Sequence, residues 1–120
     1  MTNRHIARAF SGHRFEETFT RLTPRTVWNL VGVARIEGRD AIIDACRSTV
    51  DENADVETRW LRFVTAGSDT VVAVDAVGRY AGPRGVSTVS SCDIFEFDGD
   101  MITTITSYAV ELPSGPGEDG

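Results

Sequence analysis

The sequence contains no lysine, and all 12 of its basic residues are arginine. This absence excludes a lysine Schiff base and any phosphate-binding loop that depends on a lysine. Two cysteines, Cys46 and Cys92, are too few for a disulfide framework, and we predict that both are small buried thiols. The two histidines, His5 and His13, have no cysteine or histidine cluster at ligand spacing beside them, so we expect no metal site. We expect His13, just after the predicted helix break, to cap a helix or to lie on the surface.

Positive charge is also scarce, because 18 acidic residues outnumber the 12 arginines and the formal net charge is -6. Nucleic acids and anionic membranes both require a basic surface, so neither is an expected partner. No stretch approaches the roughly 18 apolar residues of a membrane span. Residues 1–10 carry Arg4, His5 and Arg8 where a signal peptide would be apolar, so we predict a cytoplasmic protein.

A chain of 120 residues has the length of one domain. We predict this domain over residues 1–112, and we predict a disordered tail over residues 113–120, where prolines, glycines and acidic residues leave little apolar surface to bury.

Apolar spacing changes character along the chain. Spacings of three and four over Thr2–Leu22, broken at Ser11-Gly12, predict two short helices. A strand is predicted over Thr26–Val33, and a third helix begins after Gly38 and fades near Ser48. Alternating patterns separated by short turns then predict an antiparallel meander; its four strands are Val56–Ala66, Thr70–Tyr80, Val86–Phe97 and Met101–Leu112. Helices followed by strands indicate an α+β fold.

Several segments resemble the nuclear transport factor 2-like superfamily. They are the helix break at Ser11-Gly12, the strand Val27–Gly32, the helix start Gly38–Ile42, and the ending Cys92–Tyr108. Within that superfamily they are most similar to the branch of SnoaL-like polyketide cyclases and ketosteroid isomerases. The resemblance implies a cone-shaped fold, in which N-terminal helices pack in a strongly curved, mixed or antiparallel sheet. It also implies a pocket for a small hydrophobic molecule, no cofactor, and a homodimer.

Two aspartates are the catalytic candidates. Asp93 occupies the position where ketosteroid isomerases carry an aspartic acid that donates a hydrogen bond to the substrate oxygen. Asp75 occupies the position of an inward aspartate in epoxide hydrolases of the same superfamily. A hairpin turn at Pro83-Arg84 predicts that these two carboxyl groups face each other across neighbouring strands. Two facing carboxyls in a poorly hydrated pocket share a proton, so we expect Asp93 to be the acid or oxyanion donor and Asp75 to be the base.

The sequence also departs from both patterns. The isomerase's general base falls on Asn29 and its oxyanion tyrosine falls on His5. The epoxide hydrolase pattern needs an arginine at Ala73 and a second aspartate at Ser107, although Arg59 on the preceding strand is a candidate charge partner for Asp75.

The remaining candidates are assigned by the alternation of strand faces. We expect Asn29 and Ser107 to orient the ligand, and we expect Trp28 and Trp60 to lie on the outer face of the sheet in a dimer contact. The predicted pocket wall consists of Phe63, Phe95 and Phe97.

Three hypotheses follow. The first is a cofactor-free acid–base enzyme of the isomerase, cyclase or dehydratase kind, and the second is a non-catalytic module for ligand binding or dimerisation. The third is an enzyme that resembles limonene epoxide hydrolase with an altered catalytic triad. The asparagine at Asn29 favours the non-catalytic module, and the carboxylate pair favours an enzyme.

Overall fold

The computed structural model describes residues 1–113, and the predicted tail lies outside them except for Pro113. The helices are α1 (Asn3–Ser11), a 3₁₀-helix (Phe15–Arg21) and α2 (Arg39–Glu52). The strands are β1 (Val27–Leu30), β2 (Ala34–Glu37), β3 (Glu57–Gly67), β4 (Val71–Gly82), β5 (Gly85–Asp98) and β6 (Met101–Leu112). This is the α+β architecture that the sequence predicted.

The six strands form one curved, unclosed sheet in the order β2-β1-β6-β5-β4-β3. Strands β3 to β6 make the predicted antiparallel meander. The short strand β2, which the sequence did not predict, pairs antiparallel with β1, and β1 pairs parallel with β6. The parallel pairing joins the beginning of the chain to its last strand, so the sheet is mixed.

Helix α1 begins where the Thr2 side chain accepts a hydrogen bond from the backbone N–H of His5, at 3.0 Å. Such a cap satisfies one of the N–H groups that a helix start leaves free. Ile6 and Phe10 on the helix are buried against the sheet. The core therefore forms between the concave face of the sheet and the helices; its largest completely buried side chains include Phe10, Phe95, Ile6, Leu22, Ile42, Ile102 and Ile105.

The tight turn between β4 and β5 sets the register of these two strands. In the β4–β5 hairpin, Gly82 pairs with Gly85 and leaves Pro83-Arg84 as a two-residue loop. Gly85 has a φ of 121°, a conformation that glycine adopts without a steric cost. Because faces alternate along strands, this turn decides which side chains of β4 and β5 face the helices.

Among residues 1–113, no helix has both the length and the apolar character needed to cross a bilayer.

Candidate functional site

A cavity of about 680 Å³ opens between the concave face of the sheet, the end of α1 and the end of α2. Its inner end is formed by the buried side chains of Phe10, Trp28 and Ser107. At its opening lie the exposed residues Arg84 and Glu111. This volume is in the range of pockets that hold small organic ligands.

Asp93 on β5 is partly buried and lines this cavity. Ser11, the last residue of α1, is 6% exposed and donates its hydroxyl proton to Asp93 Oδ2 at 2.7 Å. A short hydrogen bond of this kind to a carboxylate is among the stronger ones in proteins. It holds one carboxylate oxygen and leaves Oδ1 free.

His13 lines the cavity as well, so the expectation that it lies on the surface is wrong. Its φ of 64° is left-handed, and the backbone N–H groups of His13 and Arg14 donate to the carbonyls of Phe10 and Ala9. This geometry ends α1 and turns the chain back toward the sheet. A non-glycine residue in this conformation costs of the order of 1–2 kcal/mol, which the surrounding contacts must offset.

Tyr80 on β4 completes the polar part of the wall. Its ring stacks on His13 with centroids 6.2 Å apart, and both rings meet Trp60 edge-on. Gly78 makes this packing possible, because a Cβ there would lie 2.8 Å from Tyr80 Oη and 3.0 Å from the Trp60 ring. The Tyr80 hydroxyl therefore fits beside the cavity only because Gly78, the preceding residue on the same face of β4, has no side chain.

Burial sets the charge states of these groups. It lowers the pKa of the His13 imidazole below its ordinary value, and the negative charge of Asp93 opposes this effect only in part. Burial also raises the pKa of the Tyr80 phenol, and the charge of Asp93 raises it further. At neutral pH the imidazole is therefore uncharged and the phenol keeps its proton.

Trp28 and Ser107 form the inner end. The Trp28 Nε1–H donates to Ser107 Oγ at 2.9 Å, and the indole packs edge-on against Phe10 with centroids 5.0 Å apart. Ser107 therefore lies in the cavity, as predicted, whereas the prediction that Trp28 faces outward is wrong.

The polar groups of the cavity that have no hydrogen-bond partner within residues 1–113 include Asp93 Oδ1, Tyr80 Oη and the ring nitrogens of His13. None of these atoms is both fully buried and unpaired, so each retains some exposure to solvent. A carboxylate, a phenol and a neutral imidazole around an apolar space can accept and donate protons to a ligand.

The predicted pairing of Asp75 with Asp93 is wrong. Val74 pairs with Asp93, and Asp75 pairs with Cys92 on the opposite face of the sheet. There Asp75 accepts a hydrogen bond from Arg62 Nε at 2.9 Å, and 46% of its side chain is exposed. The turn lies at Pro83-Arg84 as predicted, but with Gly82 paired to Gly85 it puts Cys92 opposite Asp75, one residue short of Asp93, so the Asp75 carboxylate lies on the convex side.

Three other predicted ligand-binding residues also lie elsewhere. Arg59 pairs with Arg79 on β4 and is not the partner of Asp75. Asn29 lies between the inward residues Trp28 and Leu30, so it faces away from the cavity. His5 contacts the Glu17 carboxylate at 3.0 Å outside the cavity.

The predicted phenylalanine wall belongs to the layer around the cavity. Phe95 and Phe97 are inward, as expected, but they are buried in the core and do not line the cavity. Phe63 lies beneath the Arg8 guanidinium, which is 4.8 Å from the ring centroid. Trp60 contacts Phe63 on the concave side, so its predicted outward position is wrong. A register shift between Trp60 and Arg62 brings both rings to one face.

His13, Tyr80 and Ser11 are site residues that the sequence patterns did not identify. The signal for Tyr80 was present, because Val72, Val74 and Ala76 form an apolar alternation that ends on it. For His13 the relevant signal was the helix stop at Ser11-Gly12, which reverses the chain.

Comparison with known proteins identifies relatives of this architecture. A family model described as a SnoaL-like domain matches residues 3–105. An NTF2-like protein of unknown function from Cytophaga hutchinsonii has 26% sequence identity and a TM-score of 0.76; the alignment covers 88% of this chain and 94% of that one. No curated protein matches the chain.

Two other solved structures share the fold at lower identity. A candidate SnoaL-like polyketide cyclase from Shewanella putrefaciens has 12% identity and a TM-score of 0.68, over 89% of this chain and 88% of that one. A Mycobacterium tuberculosis epoxide hydrolase described as LEH-like has 20% identity and a TM-score of 0.65, over 90% and 82%. At these identities the likeness shows the fold alone.

Proposed function

The chain belongs to the SnoaL-like domain family, and from this premise we propose that it is an enzyme for cofactor-free acid–base chemistry on a small, largely apolar molecule. The reaction class is isomerisation, cyclisation or elimination that begins with removal of a proton from carbon. The observation that carries the proposal is the free Asp93 Oδ1 in a cavity whose other exposed polar groups include the unpaired phenol of Tyr80.

In this reaction Asp93 is the base. Its Oδ2 is held by Ser11, so Oδ1 is oriented toward the space where the ligand lies. The carboxylate takes the proton from a carbon next to a carbonyl group, and the electron pair of the broken C–H bond moves to the carbonyl oxygen. A positioned base of this kind accelerates proton transfer by roughly 10²–10⁴-fold.

Tyr80 is the hydrogen-bond donor. The phenol keeps its proton at neutral pH because burial and the charge of Asp93 raise its pKa. An O–H group that donates to the oxygen gaining negative charge stabilises the transition state more than the ground state. The apolar side chains around it, including Phe10, Phe15 and Trp28, exclude water from this interaction.

The test uses 5-nitrobenzisoxazole, an apolar bicyclic probe. A base removes its carbon-bound proton, the N–O bond breaks, and the coloured 2-cyano-4-nitrophenolate forms. We expect the wild-type protein to accelerate this reaction and Asp93→Asn to lose about 10²-fold or more of the acceleration. Tyr80→Phe should lose less, because the phenol stabilises charge and does not take the proton.

Binding separates the enzyme from the alternatives. Calorimetry with 2-naphthol, a neutral ligand of similar size, should give the same affinity for the wild-type protein and Asp93→Asn within about twofold. If both proteins bind 2-naphthol and neither accelerates elimination, the chain is a non-catalytic binding module. The epoxide hydrolase hypothesis is not favoured, because Asp75 and Arg59, the residues on which it depends, lie outside the cavity.

We also propose a homodimer through the convex face of the sheet. Along β5 and β6 this face carries uncharged side chains from Thr88 to Ile94 and from Thr106 to Leu112, including the exposed Tyr108 and Val110. A two-fold contact places like residues near like residues, and an uncharged face meets its copy without charge repulsion. We propose a cytoplasmic location, which fractionation of cells expressing the tagged protein would test.

A further inference from the structure

His13 borders two cavities. One is the cavity that contains Asp93, and the second is a groove of about 560 Å³ between the 3₁₀-helix and α2, lined also by Arg47 and Asp51. Phe15 is shared by both as well. His13 therefore lies between the interior cavity and the groove.

The ring is held firmly in this position. Phe15 stacks on it with centroids 5.3 Å apart, Tyr80 stacks at 6.2 Å, and Trp60 meets it edge-on at 5.6 Å. The left-handed backbone at His13 is a strained conformation for a residue with a side chain. Packing of three aromatic rings around a strained residue keeps its nitrogens in one place.

The ring nitrogens are nevertheless free. Within residues 1–113 neither accepts nor donates a hydrogen bond to another protein group, and neither is fully buried without a partner. Imidazole is the one side chain that can take up a proton at one nitrogen and release another from the second at neutral pH. Its place between the Asp93 cavity and the groove suits that chemistry.

We infer that His13 is a proton-relay residue that connects Asp93 to solvent in the groove; this rests on the proposed function. After Asp93 has taken a proton from carbon, the carboxylic acid gives that proton to one ring nitrogen, directly or through a water molecule. The other ring nitrogen releases its proton to solvent in the groove. Asp93 is again a carboxylate, no electrons change hands, and exchange with solvent restores the starting tautomer.

The relay matters in reactions that leave the proton on the enzyme. Elimination of 5-nitrobenzisoxazole is such a reaction, because the phenolate product does not take the proton back. While the apolar cavity holds the probe or product, bulk water has little access to Asp93. Each turnover then requires a route by which the proton leaves the cavity.

The test compares the first turnover with the steady state in His13→Gly. Glycine keeps the left-handed backbone without strain and leaves a space for added imidazole. We expect the steady-state rate to fall at least about fivefold more than the first turnover, which is measured with protein in excess. Added imidazole should restore the steady-state rate, which a merely structural role for His13 would not produce. His5→Asn, at the histidine outside the cavity, is the matched control and should change neither rate.

An unchanged steady-state rate in His13→Gly, or a loss that imidazole does not restore, would overturn the relay alone. An equal loss in the first turnover would also overturn it, because His13 would then act on the substrate or on the packing. Absence of elimination in the wild-type protein would instead overturn the proposed function together with the relay. If His13→Gly does not fold by circular dichroism, His13→Asn replaces it, since asparagine tolerates the left-handed conformation.

Discussion

The Ser11 hydroxyl donates a hydrogen bond of 2.7 Å to Asp93 Oδ2, although 82 residues separate the two in sequence. Ser11 is the last residue of α1, and Asp93 lies in the middle of β5. The bond therefore ties the end of a helix to the centre of the sheet. It also orients the one aspartate that lines the cavity within residues 1–113.

Removal of this bond should affect both stability and chemistry. Ser11→Ala leaves the Asp93 carboxylate with one partner fewer, and we expect a loss of about 1–2 kcal/mol in the free energy of unfolding, measured with urea. The elimination rate should fall several-fold, because Oδ1 is less well oriented. Ser48→Ala, at an exposed position on α2, is the control and should change stability by less than about 0.5 kcal/mol. Equal effects of the two variants would contradict the assignment.

The two aspartates of the sheet should respond differently to neutralisation. Asp75→Asn removes an exposed ion pair with Arg62, for which we expect less than about 1 kcal/mol and an unchanged elimination rate. In Asp93→Asn, by contrast, the elimination rate should fall strongly. A loss of rate in Asp75→Asn with an intact Asp93 would show that the reacting group lies on the convex face.

We expect the indole of Trp28 to stabilise the fold through its hydrogen bond as well as through burial of its apolar surface. Trp28→Phe keeps a ring near Phe10 but removes the donor to Ser107, and we expect a loss of about 1–3 kcal/mol in unfolding free energy. In the double variant with Ser107→Ala the two losses should not add, because both remove the same bond. Additive losses in this cycle would mean that the hydrogen bond contributes nothing. Trp60→Phe is the control, since no side-chain hydrogen bond of Trp60 exists within residues 1–113.

The protein should lose stability in the alkaline range. Burial raises the pKa of the Cys46 thiol from 9.0 to about 12. Below pH 9 both the folded and the unfolded chain keep this proton, so the thiol adds no pH dependence there. Between 9 and 12 the unfolded chain releases the proton and the folded chain does not, which favours unfolding as the pH rises.

The measurement is the urea midpoint from about pH 8 to about pH 10.5. The midpoint should fall over this range, and Cys46→Ala should make the fall shallower while lowering stability at neutral pH through the lost packing. Cys92→Ala is the comparison: burial and the charges of Asp75 and Asp93 raise the pKa of that partly buried thiol too, so this variant should make the fall shallower, but by less than Cys46→Ala does. An unchanged slope in Cys46→Ala would show that Cys46 is not the responsible group.

The proposed dimer should dissociate when charge is placed on the convex face. Val110 is 63% exposed on β6, and in Val110→Asp a two-fold contact would bring two carboxylates into the apolar interface. We expect sedimentation equilibrium at micromolar concentration to give a dimer for wild type and a monomer for this variant. Val33→Asp, at an 83% exposed position in the turn between β1 and β2, is the control and should remain dimeric. A monomeric wild-type protein would refute the interface.

The site residues show how far strand alternation reaches. The family resemblance placed Asp93 on the inner face of β5, and alternation then placed Phe95 and Phe97 on that face correctly, because side chains two residues apart point to the same side of a strand. Alternation did not predict which residues of neighbouring strands pair with each other. The position of Asp75 depends on whether the turn pairs Val74 or Asp75 with Asp93, and a slip of one residue reverses the face. The predicted position of Trp60 was wrong for a different reason, because a bulge changes the alternation within its own strand.

The sequence by itself determined the succession of helices and strands apart from β2, the α+β class and the inward face of β5. These features depend on local spacing of apolar residues and on turn chemistry, which neighbouring residues carry. Only the tertiary structure decided that Ser11, His13 and Tyr80 surround Asp93. Their meeting depends on a left-handed residue, on a two-residue hairpin and on the curvature of the sheet, and these bring together positions that no local pattern connects.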